Sequence, residues 1–180
     1  MKIEVGVVEL HVKDLDLMRH FYEELIGLKE IDSKKNEVTL GYEDRPIVRL
    51  VQDKSLNLAE SRSAGLYHLA ILFDNQSKLA QTLVRILQNK PQLYQGSADH
   101  LVSEAFYFAD PEGNGVELYF DKDSSKWIWI NGRVAMDSLH LDVMDYTRRH
   151  IENNPEAKTK LGHIHLKVGA IDEARQFYVD

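Results

Sequence analysis

Residues 7–22, VVELHVKDLDLMRHFY, return as residues 163–178, HIHLKVGAIDEARQFY. Laid over one another without a gap, Leu10 meets Leu166, Val12 meets Val168 and Asp16 meets Asp172, while Arg19, Phe21 and Tyr22 meet Arg175, Phe177 and Tyr178. A repeat of this kind marks a supersecondary unit used more than once. Each copy opens with period-two alternation, Val8, Leu10 and Val12 sharing one face of a strand. The first copy then shifts to helical spacing at Leu15, Met18, Phe21 and Leu25. Gly27 suits the end of that helix, because glycine tolerates the left-handed conformation there. Two further apolar stretches, Glu37–Gly41 and Pro46–Gln52, complete a unit of strand, helix and strands.

The same order recurs from Gly65. Leu66–Phe73 reads as a strand and Gln76–Asn89 as a helix with Leu79, Leu83, Ile86 and Leu87 inward, ended by Pro91. Glu104–Ala109, the turn Asp110-Pro111-Glu112-Gly113-Asn114-Gly115 and the strand Val116–Phe120 follow. Lys122–Lys160 breaks the pattern and reads as a connector: it holds Trp127-Ile128-Trp129-Ile130, a helical stretch near Ser138–Glu152 and a polar segment at Asn153-Asn154-Pro155. The expected organisation is one βαβββ module over residues 1–57, a second over 58–121, a connector over 122–160, and the start of a third module over 161–180 that stops inside its helix. A lone module leaves the edge of an unclosed sheet bare, so the modules are expected to pair, within the chain or across chains, into the half-open curved sheet of an α+β fold.

Composition narrows the chemistry. The formal net charge of -7 disfavours nucleic acid, whose binding draws on clustered lysine and arginine. With no cysteine, any metal falls to His, Asp and Glu. No stretch approaches the roughly 20 apolar residues of a membrane span, and a cytoplasmic enzyme or binding protein is the expectation.

Superposing the units puts His68 and His163 at the same point of an opening strand, where the first unit has Val7. Aligning the closing strands sets Glu117 of Val116-Glu117-Leu118 opposite Arg49 of Val48-Arg49-Leu50, so the first unit lacks both groups. Strand alternation gives His68 and Ala70 one face, and His163 and His165 one face, directed into the cup of the sheet. Two imidazoles and a carboxylate with open positions form the facial site of non-haem iron(II) oxygenases, and His68, Glu117 and His163 would supply it. An isolated inward histidine is more often a packed core residue; the shared register is what favours ligation. His165 is the reserve ligand, and His11, His20, His140 and His150 read as surface or helix-face residues.

Tyr107-Phe108-Ala109-Asp110-Pro111-Glu112-Gly113-Asn114-Gly115-Val116-Glu117 resembles the YxxDPxGNxxE closing hairpin of extradiol dioxygenases in the vicinal-oxygen-chelate superfamily, which also holds glyoxalases and bleomycin resistance proteins. The resemblance implies that Glu117 is a metal ligand and that Tyr107 donates a hydrogen bond to substrate. His100-Leu101-Val102-Ser103 resembles the segment carrying that family's acid-base histidine, which points to His100. Within the superfamily the chain resembles two-domain bacterial catechol 2,3-dioxygenases, and it departs from the better-studied extradiol enzymes, which keep their ligands in the third and fourth modules, whereas here the ligand-rich module is the second. Either modules two and three combine around the metal and recruit His163, or modules one and two pair and leave the site incomplete.

The expected function is therefore iron(II)- and dioxygen-dependent extradiol cleavage of a catechol, in a homo-oligomeric protein. The ion would orient both reactants, and imidazole suits proton transfer near neutral pH. Manganese, zinc or nickel in the same ligands would instead serve a glyoxalase-like lyase or isomerase. A third reading is a metal-free small-molecule binder, with Trp127 and Trp129 stacking the ligand; the plainer role for these two is to pack the connector.

Overall fold

The structure, a computed structural model, describes residues 5–60, 63–152 and 158–179; the polar segment at Asn153-Asn154-Pro155 lies outside them. The first module comprises β1 (Val8–Val12), a helix of an α-helical segment α1 (Leu15–His20) running into a wider π-helical turn (Phe21–Ile26), β2 (Lys29–Lys34), β3 (Glu37–Tyr42) and β4 (Arg45–Gln52). Asp14 caps α1 by accepting from the Leu17 amide at 3.0 Å, and Gly27 ends the helical stretch at φ 95°. The four strands are ordered β1-β4-β3-β2, with β1 and β4 parallel.

β5 (Gly65–Phe73), α2 (Gln76–Asn89), β6 (Tyr94–Asp99), β7 (Ser103–Ala109) and β8 (Gly115–Asp121) repeat the plan. After a short hairpin of β9 (Trp129–Ile130) and β10 (Arg133–Val134), β11 (Leu139–His140) joins the edge of the second sheet at β6, and α3 (Val143–His150) packs on α2. The stretch read as a connector thus contributes a strand and a helix to the second module. β12 (Thr159–Lys167) adds to the opposite edge, antiparallel to β5, and α4 (Ile171–Tyr178) follows it. The sheet order is β11-β6-β7-β8-β5-β12, and neither sheet closes into a barrel. The mixed α+β architecture expected from the repeat is what the chain adopts.

Beyond the short β9, β10 and β11 of the connector, two strands of the modules themselves were not legible in advance. β2, KEIDSK, is exposed at every position and so has no alternation to read. β6, YQGSAD, has no strong strand former after Tyr94 and carries a register shift between Tyr94 and Gly96.

The modules share one core, with Val12, Met18, Tyr22, Leu40 and Leu50 on one side and Leu69, Ile71, Leu83, Phe106 and Leu118 on the other. Polar groups fix their relative placement. Arg85 on α2 donates to the carbonyls of Leu25 and Ile26 at 2.8 Å each, satisfying helix-end acceptors. The β7–β8 turn reaches back to the first module. Asp110, buried, accepts from the amides of Glu112 and Asn114, from Asn114 Nδ2 and from the Tyr22 hydroxyl at 3.2 Å. Glu112 accepts from the amides of Lys13 and Asp14, a carboxylate set at the start of α1 where the helix favours negative charge. Burial raises the Asp110 carboxyl above its ordinary range, with these hydrogen bonds acting against it. Asp110→Ala strands several buried donors and should cost about 2–4 kcal/mol of stability, and Tyr22→Phe about 1 kcal/mol, as read from urea unfolding.

Candidate metal centre

β5 is paired on both sides, parallel to β8 and antiparallel to β12. Ala70 lies opposite Glu117 on one neighbour and opposite His163 on the other, and His68, two positions back along β5, shares its face. Three side chains from three adjacent strands therefore converge above one small residue that is itself fully buried. One ligand atom from each of His68, Glu117 and His163 lies within 4.8 Å of the other two. Both imidazole Nε2 atoms approach the same carboxylate oxygen, Glu117 Oε2, at 2.8 Å from His68 and 3.3 Å from His163.

The three side chains come from modules two and three, β12 adding beside β5, while module one packs on module two through the shared core. The first module's matching place holds an ion-pair network instead, with Arg49 between Glu9 and Glu37. Its charges are already satisfied, so it offers no ligand set.

The donor atoms suit a divalent cation. His68 Nε2 is buried and, despite its short distance to Glu117, makes no hydrogen bond of acceptable geometry. A buried ring nitrogen left in that state costs free energy unless something else meets its lone pair. A cation between the two nitrogens and the carboxylate would do so with the nitrogen and oxygen donors that iron, manganese, zinc and nickel accept. Burial works to raise the Glu117 carboxyl, but contact with His163 and His68 outweighs it and brings the group down to about 2. Glu117 is thus ionised throughout the neutral range, as a ligand must be. His68 and Glu117 are buried, whereas the His163 side chain is 45% exposed, which leaves one side of the centre open to an incoming molecule.

Tyr107 lies opposite Glu117 in the β7–β8 ladder, with its ring 5.7 Å from that of His68. Its hydroxyl is 2.7 Å from His100 Nε2, and His100 Nδ1 is 2.8 Å from the carbonyl of Asp137. A carbonyl can only accept, so Nδ1 carries the proton. In the neutral ring Nε2 is then the acceptor, and the Tyr107 hydroxyl donates to it. Burial first, and then the charge of Glu117, raise the Tyr107 hydroxyl well above its ordinary value. Leu101, beside His100, sits at φ 70° in the tight turn that re-aims the chain into β7.

His165 stands outside the cluster, edge-on to His68 with ring centres 4.8 Å apart and against Tyr67. Burial, and then the charges of His68 and His163, lower its imidazole. His11 pairs with Glu9 at the surface, and His150 packs on Tyr146 in α3. Trp127 donates to the Lys122 carbonyl, whereas Trp129 is exposed. One contributor had escaped notice: the Asp137 carbonyl, which leaves no side-chain signal.

The Glyoxalase/Bleomycin resistance protein/Dioxygenase superfamily matches residues 4–118, and the chain belongs to this family. It is 29% identical over 186 aligned residues to a catechol-2,3-dioxygenase of Bacillus subtilis (strain 168), an alignment covering 98% of this chain. The chain spans 63% of that relative's length. Among solved structures, a glyoxalase/dioxygenase from Nostoc punctiforme aligns with a TM-score of 0.54 at 19% identity, over 67% of this chain and 92% of that one. The cppA protein of Streptococcus pneumoniae TIGR4 aligns with a TM-score of 0.56 at 14% identity, over 91% of this chain and 60% of that one. At these identities the structural matches speak for the fold alone.

Gly115 faces His68 across the β5–β8 ladder, and a Cβ placed there would lie 2.0 Å from the Tyr67 carbonyl. Gly115→Ala should push β5 off β8, separate His68 from Glu117 and weaken cobalt(II) binding about ten- to a hundredfold in an absorbance titration. Unchanged affinity would mean that this backbone approach does not set the pair.

Proposed function

We propose that the protein is an extradiol-type dioxygenase that opens catechol rings, with His68, Glu117 and His163 holding iron(II) and His100 with Tyr107 handling the proton. The observation that carries the reading is the hydrogen-bonded His100–Tyr107 pair beside a two-histidine, one-carboxylate centre with an exposed side. The relation to a catechol-2,3-dioxygenase supports the same reading. Held by His68, Glu117 and His163, iron(II) would bind a catechol and carry electrons between it and dioxygen.

The rest falls to the chain's own residues. Tyr107 Oη has its hydrogen committed to His100 Nε2, so its free lone pair can accept a proton from a substrate hydroxyl. As it does so, its own hydrogen passes to His100 Nε2. Because burial and Glu117 disfavour a tyrosinate, Tyr107 passes the proton on without keeping the charge. The Asp137 carbonyl holds the imidazole in the tautomer this transfer needs and steadies the resulting imidazolium. When His100 later returns the proton to Tyr107 Oη, the hydrogen that Tyr107 holds toward the cup passes to the substrate, and the hydroxyl again donates to His100 Nε2. Ala70, with no bulk above the sheet, keeps the floor clear.

The test is to purify the protein without oxygen, add iron(II) and catechol, admit air and follow the yellow ring-opened semialdehyde. We expect iron-dependent product that Glu117→Ala abolishes, and a fall in kcat of about a hundredfold or more with His100→Phe. Tight metal binding with no product would favour a metal-dependent isomerase or lyase, and no metal binding a small-molecule binder.

A further inference from the structure

A cavity of about 160 Å³ opens beside the centre, bordered by His68, Tyr107, Gly115 and Gln95. An apolar cavity of about 150 Å³ is enough to hold a single benzene ring, so this one has room for one aromatic ring or the substituted end of one. Its shape follows from two local features. Gly115 shares the cup face of β8 with Glu117, and having no side chain it lets the Tyr67 backbone close against β8 beside His68, at the cavity's edge. On β6 the register slips between Tyr94 and Gly96, with Gly96 at φ 149°, and Gln95 becomes the extra residue, turned out of the ladder and onto the cavity.

Gln95 is exposed at the cavity mouth, and its carboxamide has no hydrogen-bond partner among the described residues. A carboxamide both donates and accepts, so it can meet a carbonyl, a hydroxyl or an amide on the ligand. The lining includes no lysine, arginine, aspartate or glutamate. A carboxylate brought there would lose water without gaining a cation, in a chain already at net charge -7.

We propose that this cavity seats the substituted end of the substrate ring and that Gln95 selects catechols bearing a neutral hydrogen-bonding substituent over alkylated or carboxylated ones. The proposal rests on the ring-cleavage reading of the adjoining centre. Gln95 is a specificity residue here, remote from the reacting oxygens; His68 and Tyr107 border both the cavity and the centre, and so link the two.

The experiment uses iron-loaded protein without dioxygen, titrated with 3,4-dihydroxybenzaldehyde, 4-methylcatechol and 3,4-dihydroxybenzoate, with Kd read from the change in absorbance. The aldehyde should bind about three- to tenfold more tightly than 4-methylcatechol, and the benzoate most weakly. Gln95→Leu should erase the advantage of the aldehyde while leaving 4-methylcatechol within about twofold, the surface position of Gln95 making a folding defect easy to exclude by thermal unfolding. An aldehyde-to-methyl ratio that is the same in Gln95→Leu as in the parent overturns the assignment. So does a loss of all three ligands together. Admitting air separates the two readings: a ratio that depends on Gln95 without ring opening keeps the subsite and sinks the dioxygenase, and ring opening with an insensitive ratio does the reverse.

Discussion

A strand flanked on both sides governs this molecule. β5 takes a parallel neighbour, β8, from its own module and an antiparallel neighbour, β12, from the third copy of the repeat. The register on both sides meets at Ala70. Because strand side chains alternate, a slip of one residue in either pairing would send Glu117 or His163 to the opposite face and dissolve the centre. Burial of Leu69, Ile71, Leu118 and Leu161 on the far face holds both registers, since the same slip would expose them. The apolar face of the sheet thus positions the polar one.

The turn that delivers Glu117 to its place also fastens the second module to the first. Asp110 organises the turn and takes the Tyr22 hydroxyl, while Glu112 secures the start of α1. Residues that read as part of a metal-site motif thus act mainly as carpentry. The first module, with Arg49 where the second has Glu117, contributes by contact: Tyr22 and the amides of Lys13 and Asp14 hold the hairpin on which the carboxylate stands.

Much of this could be read from the chain. The repeat exposed the opening strands because Val8, Leu10 and Val12 alternate cleanly, and the coincidence of His68 with His163 in that repeat singled out a pair that contact now brings together. Other parts were silent for physical reasons. β2 is solvated on both faces and β6 is distorted, so neither displays a period. Which modules pair is decided by edge-to-edge hydrogen bonds between backbones, which sequence does not write down. The His100 tautomer is likewise set by a backbone carbonyl, from a stretch read only as a link between units.

His68 and His163 meet although about 95 positions of chain separate them. Closing so long a loop is entropically unfavourable, and the cost grows only with the logarithm of length, so a clasp across it returns nearly the largest gain in order that a clasp in this chain can. A cation held by both histidines and Glu117 would be such a clasp. Its affinity would appear as resistance to unfolding that rises with metal concentration, and as a brake on the peeling of β12 from the sheet edge. Folding would meet the centre late, after the local strand–helix units had formed, because its contacts are among the least local in the fold.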